Sequence, residues 1–317
     1  MFYEATAYYN HAWTSYNLEH PLNNQILLHA GNELLVEVPE KSLASGSLQI
    51  QSITERLTIS EWTPTMHREA FDLMQKIASI WKQKGITDYL IYGKEAAGKS
   101  FCFEMVPYEK SAFSIFRQLK VLFGITFGAF ADSMEKREAV AREYEGVRDL
   151  FSEALADLSD RVDSLSSHDD AFCKESTFAR QCVFEGRTIS VLQDYAPLAT
   201  EEEKLHLILV TRQHRDSFSD ISEEEYLESA GMMSKLISHY REKGFSTTYI
   251  FEKIGRPAGQ SVPHRHLHLV FTKQESEELL GKLLVLKKMV LGASKMPDEE
   301  LRRRVESLRA ELLGVLQ

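Results

Sequence analysis

The sequence predicts an α+β fold made of two tandem units on one plan. Three observations carry this expectation: a long ungapped internal repeat, a strand–helix–strand order inside each copy, and a run of alternating histidines that closes the second copy. Sliding the 317-residue chain by 159 positions lays Gly46–Gly85 on Leu205–Gly244 without a gap, and nine of the forty positions are identical. The pairs are Leu48/Leu207, Arg56/Arg215, Ser60/Ser219, Glu69/Glu228, Met74/Met233, Lys76/Lys235, Ser79/Ser238, Lys84/Lys243 and Gly85/Gly244. Chance would give roughly two or three matches, and so long a period means duplicated domains rather than a solenoid.

Residues 1–30 read as an N-terminal arm, and 31–108 form the first unit. Leu48–Ile53 is its first clear strand. Thr63 then caps a helix with Pro64 at the first helical position, the place where a missing N–H costs nothing. Phe71, Met74, Ala78 and Trp81 recur at helical spacing, and Gly85 suits the C-terminal cap. Tyr89–Tyr92 is the next strand, Ala97-Gly98-Lys99-Ser100 a turn, and Phe101–Val106 the last strand. Residues 109–180 connect the units. Val121–Ala131 predicts a buried helix, too short to span a membrane. Ser133 to Leu165 carries a helical stripe through Tyr144, Val147, Phe151, Leu155, Leu158, Val162 and Leu165, and the polar stretch Ser164–Ala171 is the linker candidate.

The second unit, 181–272, repeats the order. Leu205–Thr211 is a strand. Ser222 and Glu225 make a capping box ahead of Tyr226, Ala230, Met233, Ile237 and Tyr240, and Gly244 ends that helix. Thr248–Glu252 is a strand, and Ala258-Gly259-Gln260-Ser261 matches the turn of the first unit. Tyr249-Ile250-Phe251 resembles Tyr89-Leu90-Ile91, which sets Phe101, Phe103 and Met105 near where the second unit has histidines. Residues 273–317 predict C-terminal helices: Pro297 stands near a helix start, followed by Leu301, Val305, Leu308, Leu312 and Val315 on one stripe. Packing on the sheets is the expected role of these amphipathic helices, which also offer a route to dimerisation.

Composition limits the function. With 43% hydrophobic and 26% charged residues and a net charge of −10, the chain reads as soluble and cytoplasmic, and it lacks the basic surface that nucleic acid requires. Three cysteines, Cys102, Cys173 and Cys182, make no even framework, and the N-terminus shows neither a basic leader nor an apolar core.

The chemistry concentrates at His264-Arg265-His266-Leu267-His268. In a strand, alternate residues share a face, so the three imidazoles should stand together and Arg265 should point to the opposite side, toward a packed helix or the other unit. Imidazole can act as nucleophile, acid, base or metal ligand near neutral pH. With apolar residues in the first unit, one live site is expected.

These residues resemble the signature of the histidine triad superfamily: alternating histidines followed by Leu269-Val270 and preceded by Gly259-Gln260-Ser261. His206 and His214, eight positions apart across a strand, fit the upstream pattern, as does Asp194 with Pro197 three residues on. Two such units in one chain look like the galactose-1-phosphate uridylyltransferase or diadenosine polyphosphate phosphorylase architecture, while His268 keeps the hydrolase form of the motif. The resemblance implies attack of His266 on a nucleotide α-phosphate through a nucleotidyl-histidine. It gives His264 and His268 phosphate or pocket contacts, Ser261 a hydrogen bond to the leaving group, Asp194 the ribose, and His206, Gly259 and Gln260 further nucleotide contacts. The substrate it implies is a nucleoside phosphate: a phosphoramidate, a dinucleoside polyphosphate or a nucleotide sugar. Lys253 stands where relatives carry Asn or Gln, with two readings: an added phosphate contact, or pairing with a carboxylate or with solvent. Arg256 lies in the loop that follows.

Three strand histidines also suit zinc. Some relatives bind it through Cys-x-x-Cys, but Cys182-Val183-Phe184-Glu185 has only the first cysteine and Cys173 stands nine residues earlier, so no cofactor is expected. Cys102 reads as a core thiol, and His67, His168 and His239 as solvated. A covalent tandem can make internally the contact that joins single-unit dimers, so a pseudo-dimeric monomer is expected. The competing reading is a nucleotide-sensing scaffold with little turnover.

Overall fold

The computed structural model describes residues 26–53, 57–108, 114–152, 170–198, 205–273, 287–288 and 293–317. In the first half the chain forms β1 (Leu27–Ala30), β2 (Leu34–Glu37), β3 (Leu48–Ser52), α1 (Pro64–Gln83), β4 (Asp88–Ala96) and β5 (Cys102–Tyr108). Helices α2 (Ser114–Phe127), α3 (Met134–Arg142) and α4 (Glu175–Gln181) follow. The second half gives β6 (Cys182–Glu185), β7 (Ile189–Gln193), β8 (His206–Thr211), α5 (Glu223–Glu242), β9 (Thr247–Ile254), β10 (His266–Thr272) and α6 (Asp298–Leu316).

The ten strands form one antiparallel sheet in the order β1-β2-β3-β5-β4-β9-β10-β8-β7-β6. Each half uses its strands in the same order, and the halves meet where β4 pairs with β9 from Tyr89↔Ile254 to Ala96↔Thr247. Both long helices start as their sequences dictate. Thr63 accepts from the Met66 amide at 3.1 Å, and Ser222 and Glu225 close a capping box. Both helices end at left-handed glycines, Gly85 at φ 78° and Gly244 at φ 86°.

One face of the sheet packs on α1 and α5, with Leu207, Leu209, Leu267, Leu269 and Phe271 in the same core as Trp81, Met74 and Met233. The other face carries Leu90, Val106, Tyr108, Tyr249, Phe251 and Val270, partly covered by Val121 and Ile125 of α2. Phe101, Phe103 and Met105 lie in the helix-covered core, not on the face of the triad. The ungapped offset of 159 holds through β4 and β9, where Tyr92 matches Phe251 rather than Ile91. Phe251 pairs with His268 and Tyr92 with Glu104, so Glu104 holds the place of His268 and Cys102 that of His266. A slip of one residue moves every side chain to the other face, which is why the small gap placed at Tyr89 misdirected the expectation.

Several helix assignments shift as well. Val121–Ala131 is half-buried: Val121, Gly124 and Ile125 are inside, while Phe123 and Phe130 are exposed. The connector is α3 and a 3-10 stretch, Glu145–Phe151; 153–169, with His168 and most of the linker candidate, lie outside the described residues. His67 is not solvated but buried beside the Trp62 ring, and burial lowers its pKa to about 4. His239 is half-buried and paired to Glu311 at 2.9 Å. Leu301, Val305, Leu308, Leu312 and Leu316 of α6 are buried, and α6 packs on β6, α4 and α5, so its apolar stripe is used within the chain.

Candidate active site and metal centre

The turn before β10 sets the histidines. Gly255 has φ 82°, and a Cβ there would stand 1.7 Å from an Asp88 oxygen, so only glycine fits. Gly259 is left-handed at φ 91°. Gln260 staples this loop: its Oε1 accepts from the Gly255 amide at 2.8 Å and its Nε2 donates to the Asp216 carbonyl at 3.1 Å. β10 then runs between β8 and β9, with His266↔Val210 and His268↔Ile208 on one side and His268↔Phe251 on the other. A strand bonded on both edges gives its side chains fixed directions.

The His266 ring is buried, and its Nδ1 donates to the carbonyl of His264 at 2.6 Å. Its Nε2 therefore carries the lone pair. Burial lowers its pKa to about 4, so the ring is neutral near pH 7. The His268 ring lies 4.8 Å from that of His266 and stacks on Phe251 at 4.5 Å. A chain of contacts leads away from it: His268 Nδ1 to His206 Nε2 at 2.9 Å, then His206 Nδ1 to Asp194 Oδ2 at 3.0 Å. The Leu198 amide also donates to His206 Nδ1 at 3.3 Å, so backbone and carboxylate both hold the His206 ring behind His268. Burial holds both His206 and His268 below the usual imidazole range.

His264 faces elsewhere. Its Nε2 donates to the Thr211 carbonyl at 2.8 Å, which turns the Nδ1 lone pair toward Asp170 and Cys173. His214 does the same: Nε2 meets Asp216 at 3.0 Å, and Nδ1 lies 2.9 Å from Asp170 Oδ2. Cys173 Sγ is 3.6 Å from both Nδ1 atoms, and all four donors fall within 4.8 Å of one another. Asp170 is aimed by its own turn, its Oδ1 accepting from the Phe172 and Cys173 amides at 2.7 and 3.1 Å. One sulfur, two imidazole nitrogens and one carboxylate at these separations match the edges of a tetrahedral zinc site, and both imidazoles have their outer N–H held, as metal-bound histidines do. Sequence reasoning looked for the motif at Cys182 and passed over Asp170-Ala171-Phe172-Cys173, whose aspartate fills a place where a cysteine was sought.

The sequence profile of the scavenger mRNA decapping enzyme C-terminal binding family matches residues 169–282, a span that contains the metal cluster, the relay and the triad. An uncharacterized HIT-like protein of Methanocaldococcus jannaschii is 26% identical over 101 residues, 31% of this chain and 75% of that protein. Over that segment the chain is similar to histidine triad proteins. Two solved structures from Arabidopsis thaliana extend the likeness to both halves, each 11% identical with a TM-score of 0.51. One is a GalT-like protein, covering 87% of this chain and 83% of that one. The other is an ADP-glucose phosphorylase with bound ADP-glucose, covering 87% and 82%. They show that the likeness in fold extends beyond the segment matched by the family model.

The remaining candidate residues are placed as follows. Ser261 and Arg256 are exposed on the loop. The side chain of Gln260 is used to hold the loop, and Asp194 is engaged by His206 and by the Ala196 amide at 2.9 Å. His206 is fully buried and reaches His268 rather than the surface. Arg265 points to the opposite face: it pairs with Glu252 at 3.0 Å and reaches Ser229 of α5 at 3.3 Å. Lys253 is half-buried on the triad face, and its ammonium lies 5.5 Å from the Phe251 ring. Among the described residues it has no hydrogen bond or ion pair, and its charge lowers the pKa of His266 and His268.

Proposed function

We propose that this chain is a nucleotide hydrolase or nucleotidyltransferase that works through a covalent nucleotidyl-His266. The observation that carries the reading is the His266 ring itself: neutral, locked by the His264 carbonyl, with its Nε2 lone pair free. In the first step Nε2 attacks the α-phosphorus of a nucleoside phosphate. The N–P bond forms as the bond to the leaving group breaks, and the leaving group departs with the electron pair. Water or a second acceptor then attacks the same phosphorus and returns the electron pair to Nε2. Lys253 supplies positive charge to the phosphate oxygens, where preorganised donors do most for the transition state. His268, backed by His206 and Asp194, fixes the neighbouring ring.

In the same reading Asp170, Cys173, His214 and His264 would hold a zinc ion, which would fix the His264 ring; the His264 carbonyl sets the tautomer of the nucleophile.

The test uses a radiolabelled dinucleoside polyphosphate or nucleoside phosphoramidate. The wild-type chain should trap an acid-labile nucleotide and turn the substrate over, and the His266→Ala and His266→Gly variants should do neither. Equal turnover by all three would sink the catalytic reading and leave a nucleotide-binding scaffold.

A further inference from the structure

Arg265 stands between His264 and His266 in sequence and is buried on the helix-covered side of the sheet. Its guanidinium meets Glu252 Oε2 from Nε at 3.1 Å and from Nη2 at 3.0 Å, and its Nη1 donates to Ser229 Oγ at 3.3 Å. The other Glu252 oxygen is buried with no hydrogen bond among the described residues. A buried ion pair left partly unmatched adds little to stability over apolar residues of similar volume. The first half shows the apolar solution. By the correspondence that sets Cys102 at the place of His266, Phe101 stands for Arg265, Gly93 for Glu252 and Ala70 for Ser229. There the Phe101 ring lies over Gly93, 2.6 Å from where a Cβ would stand. The fold therefore does not require the ion pair, and the half that carries the histidines has it.

We propose that Arg265 is a positioning residue for His266, tying down the peptide unit that orients the nucleophilic ring. The proposal rests on the assignment of His266 as nucleophile. His266 Nδ1 donates to the carbonyl of His264, and that carbonyl belongs to the peptide joining His264 to Arg265. This peptide lies ahead of the strand ladder, since β10 begins at His266 and its pairing with β9 begins at Leu267. Arg265 holds it in two ways. Its amide donates to the Arg215 carbonyl at 2.5 Å, and its fork is bonded to Glu252 of β9 and Ser229 of α5. Arg215 in turn pairs with Glu225, which closes the capping box of α5. Main chain and side chain of one residue thus fix the plane of the peptide, and the peptide carbonyl fixes the ring. An apolar side chain at this position would fill the space without directional bonds. A misplacement of about 1 Å at a reacting group can cost about a hundredfold in rate.

The test moves the solution of the first half into the second. The full chain carrying Arg265→Phe with Glu252→Gly is compared with wild type and with Arg265→Lys, which keeps the charge but not the fork. Denaturant unfolding reports whether each variant folds. Long-range nitrogen–proton NMR at pH 7 reads the tautomer of the His266 ring, and kcat and KM are measured with diadenosine triphosphate. Wild type should show one tautomer, with the proton on Nδ1. Both variants should unfold cooperatively and show a mixture of tautomers. In the double variant kcat should fall about tenfold or more while KM stays within about twofold, as misplacement of a nucleophile does. A folded variant that keeps the single tautomer overturns the proposal, and so does a double variant that folds and keeps the kcat of an active wild type. If the double variant does not fold, the tautomer in Arg265→Lys decides. Mixed tautomers in the variants of a chain whose wild type turns nothing over would sink the catalytic reading and leave Arg265 as the residue that orients the ring.

Discussion

A buried imidazole whose one hydrogen bond among the described residues is to a carbonyl stays neutral, and His266 is such a ring. Its pKa of about 4 has a kinetic consequence. Protonation removes the Nε2 lone pair, so kcat/KM should hold as pH falls through 6.5 and decline only toward about 4. A midpoint near 6.5 in that profile would show that the nucleophile is not the buried ring. At Lys253, replacement by Met removes charge but keeps the stem. Both kcat and kcat/KM should fall about tenfold or more with little change in KM, as loss of a contact made in the transition state does. Metal analysis tests the other cluster. The purified chain should hold about one zinc, and Cys173→Ser should lose most of it, since thiolate is the donor zinc prefers among the four. Spacing put His264, His266 and His268 on a shared face, because alternation in a strand fixes it, and the family resemblance singled out His266. It could not reveal that His264 turns away to Asp170 and Cys173 or that His206 backs His268. Ring orientation depends on Thr211 and Asp194, which reach the site from distant parts of the chain.

Identical residues of the repeat hold identical turns. Glu69 of α1 accepts from the Asn32 and Glu33 amides at 2.8 and 3.0 Å, closing the β1–β2 turn. Glu228 of α5 accepts from the Arg187 and Thr188 amides at 2.7 and 2.8 Å, closing the β6–β7 turn. Each helix thus anchors a hairpin at the outer edge of the sheet. Glu228→Ala should destabilise the chain by about 1–3 kcal/mol in urea unfolding, because it strands backbone donors rather than merely deleting a side chain. Glu69→Ala should act alike. A change under about 0.5 kcal/mol, the usual surface value, would mean that water replaces the carboxylate at little cost. The match of Glu69 to Glu228 was visible in the sequence, and so were both capped helices, since capping residues act locally. The phase of β5 was not: its alternating Phe101, Phe103 and Met105 look the same whichever face they meet, and only pairing with β4 decides it.

The buried His67 and His266 and the half-buried His29 share a pKa lowered to about 4, chiefly by burial. In the unfolded chain each regains a value near 6.5, so below that pH the unfolded state binds protons that the folded state refuses. Stability should therefore be full above pH 6.5 and decline as pH falls toward 4, by about 2 kcal/mol per ring at pH 5. Denaturant midpoints at pH 7 and pH 5 measure this, and equal midpoints would show that the rings become hydrated.

The seam between β4 and β9 has a consequence of a different kind. In a dimer of identical chains every substitution appears twice, so a change that improves one pocket alters the other as well. Here the strands that meet at the seam belong to one polypeptide. Glu104 can replace a histidine, and Leu90 and Leu122 can become the wall of their neighbour's pocket, with no matching loss at His268 or Phe251. Two units in one chain can thus differ on the triad face, each without a matching change in the other.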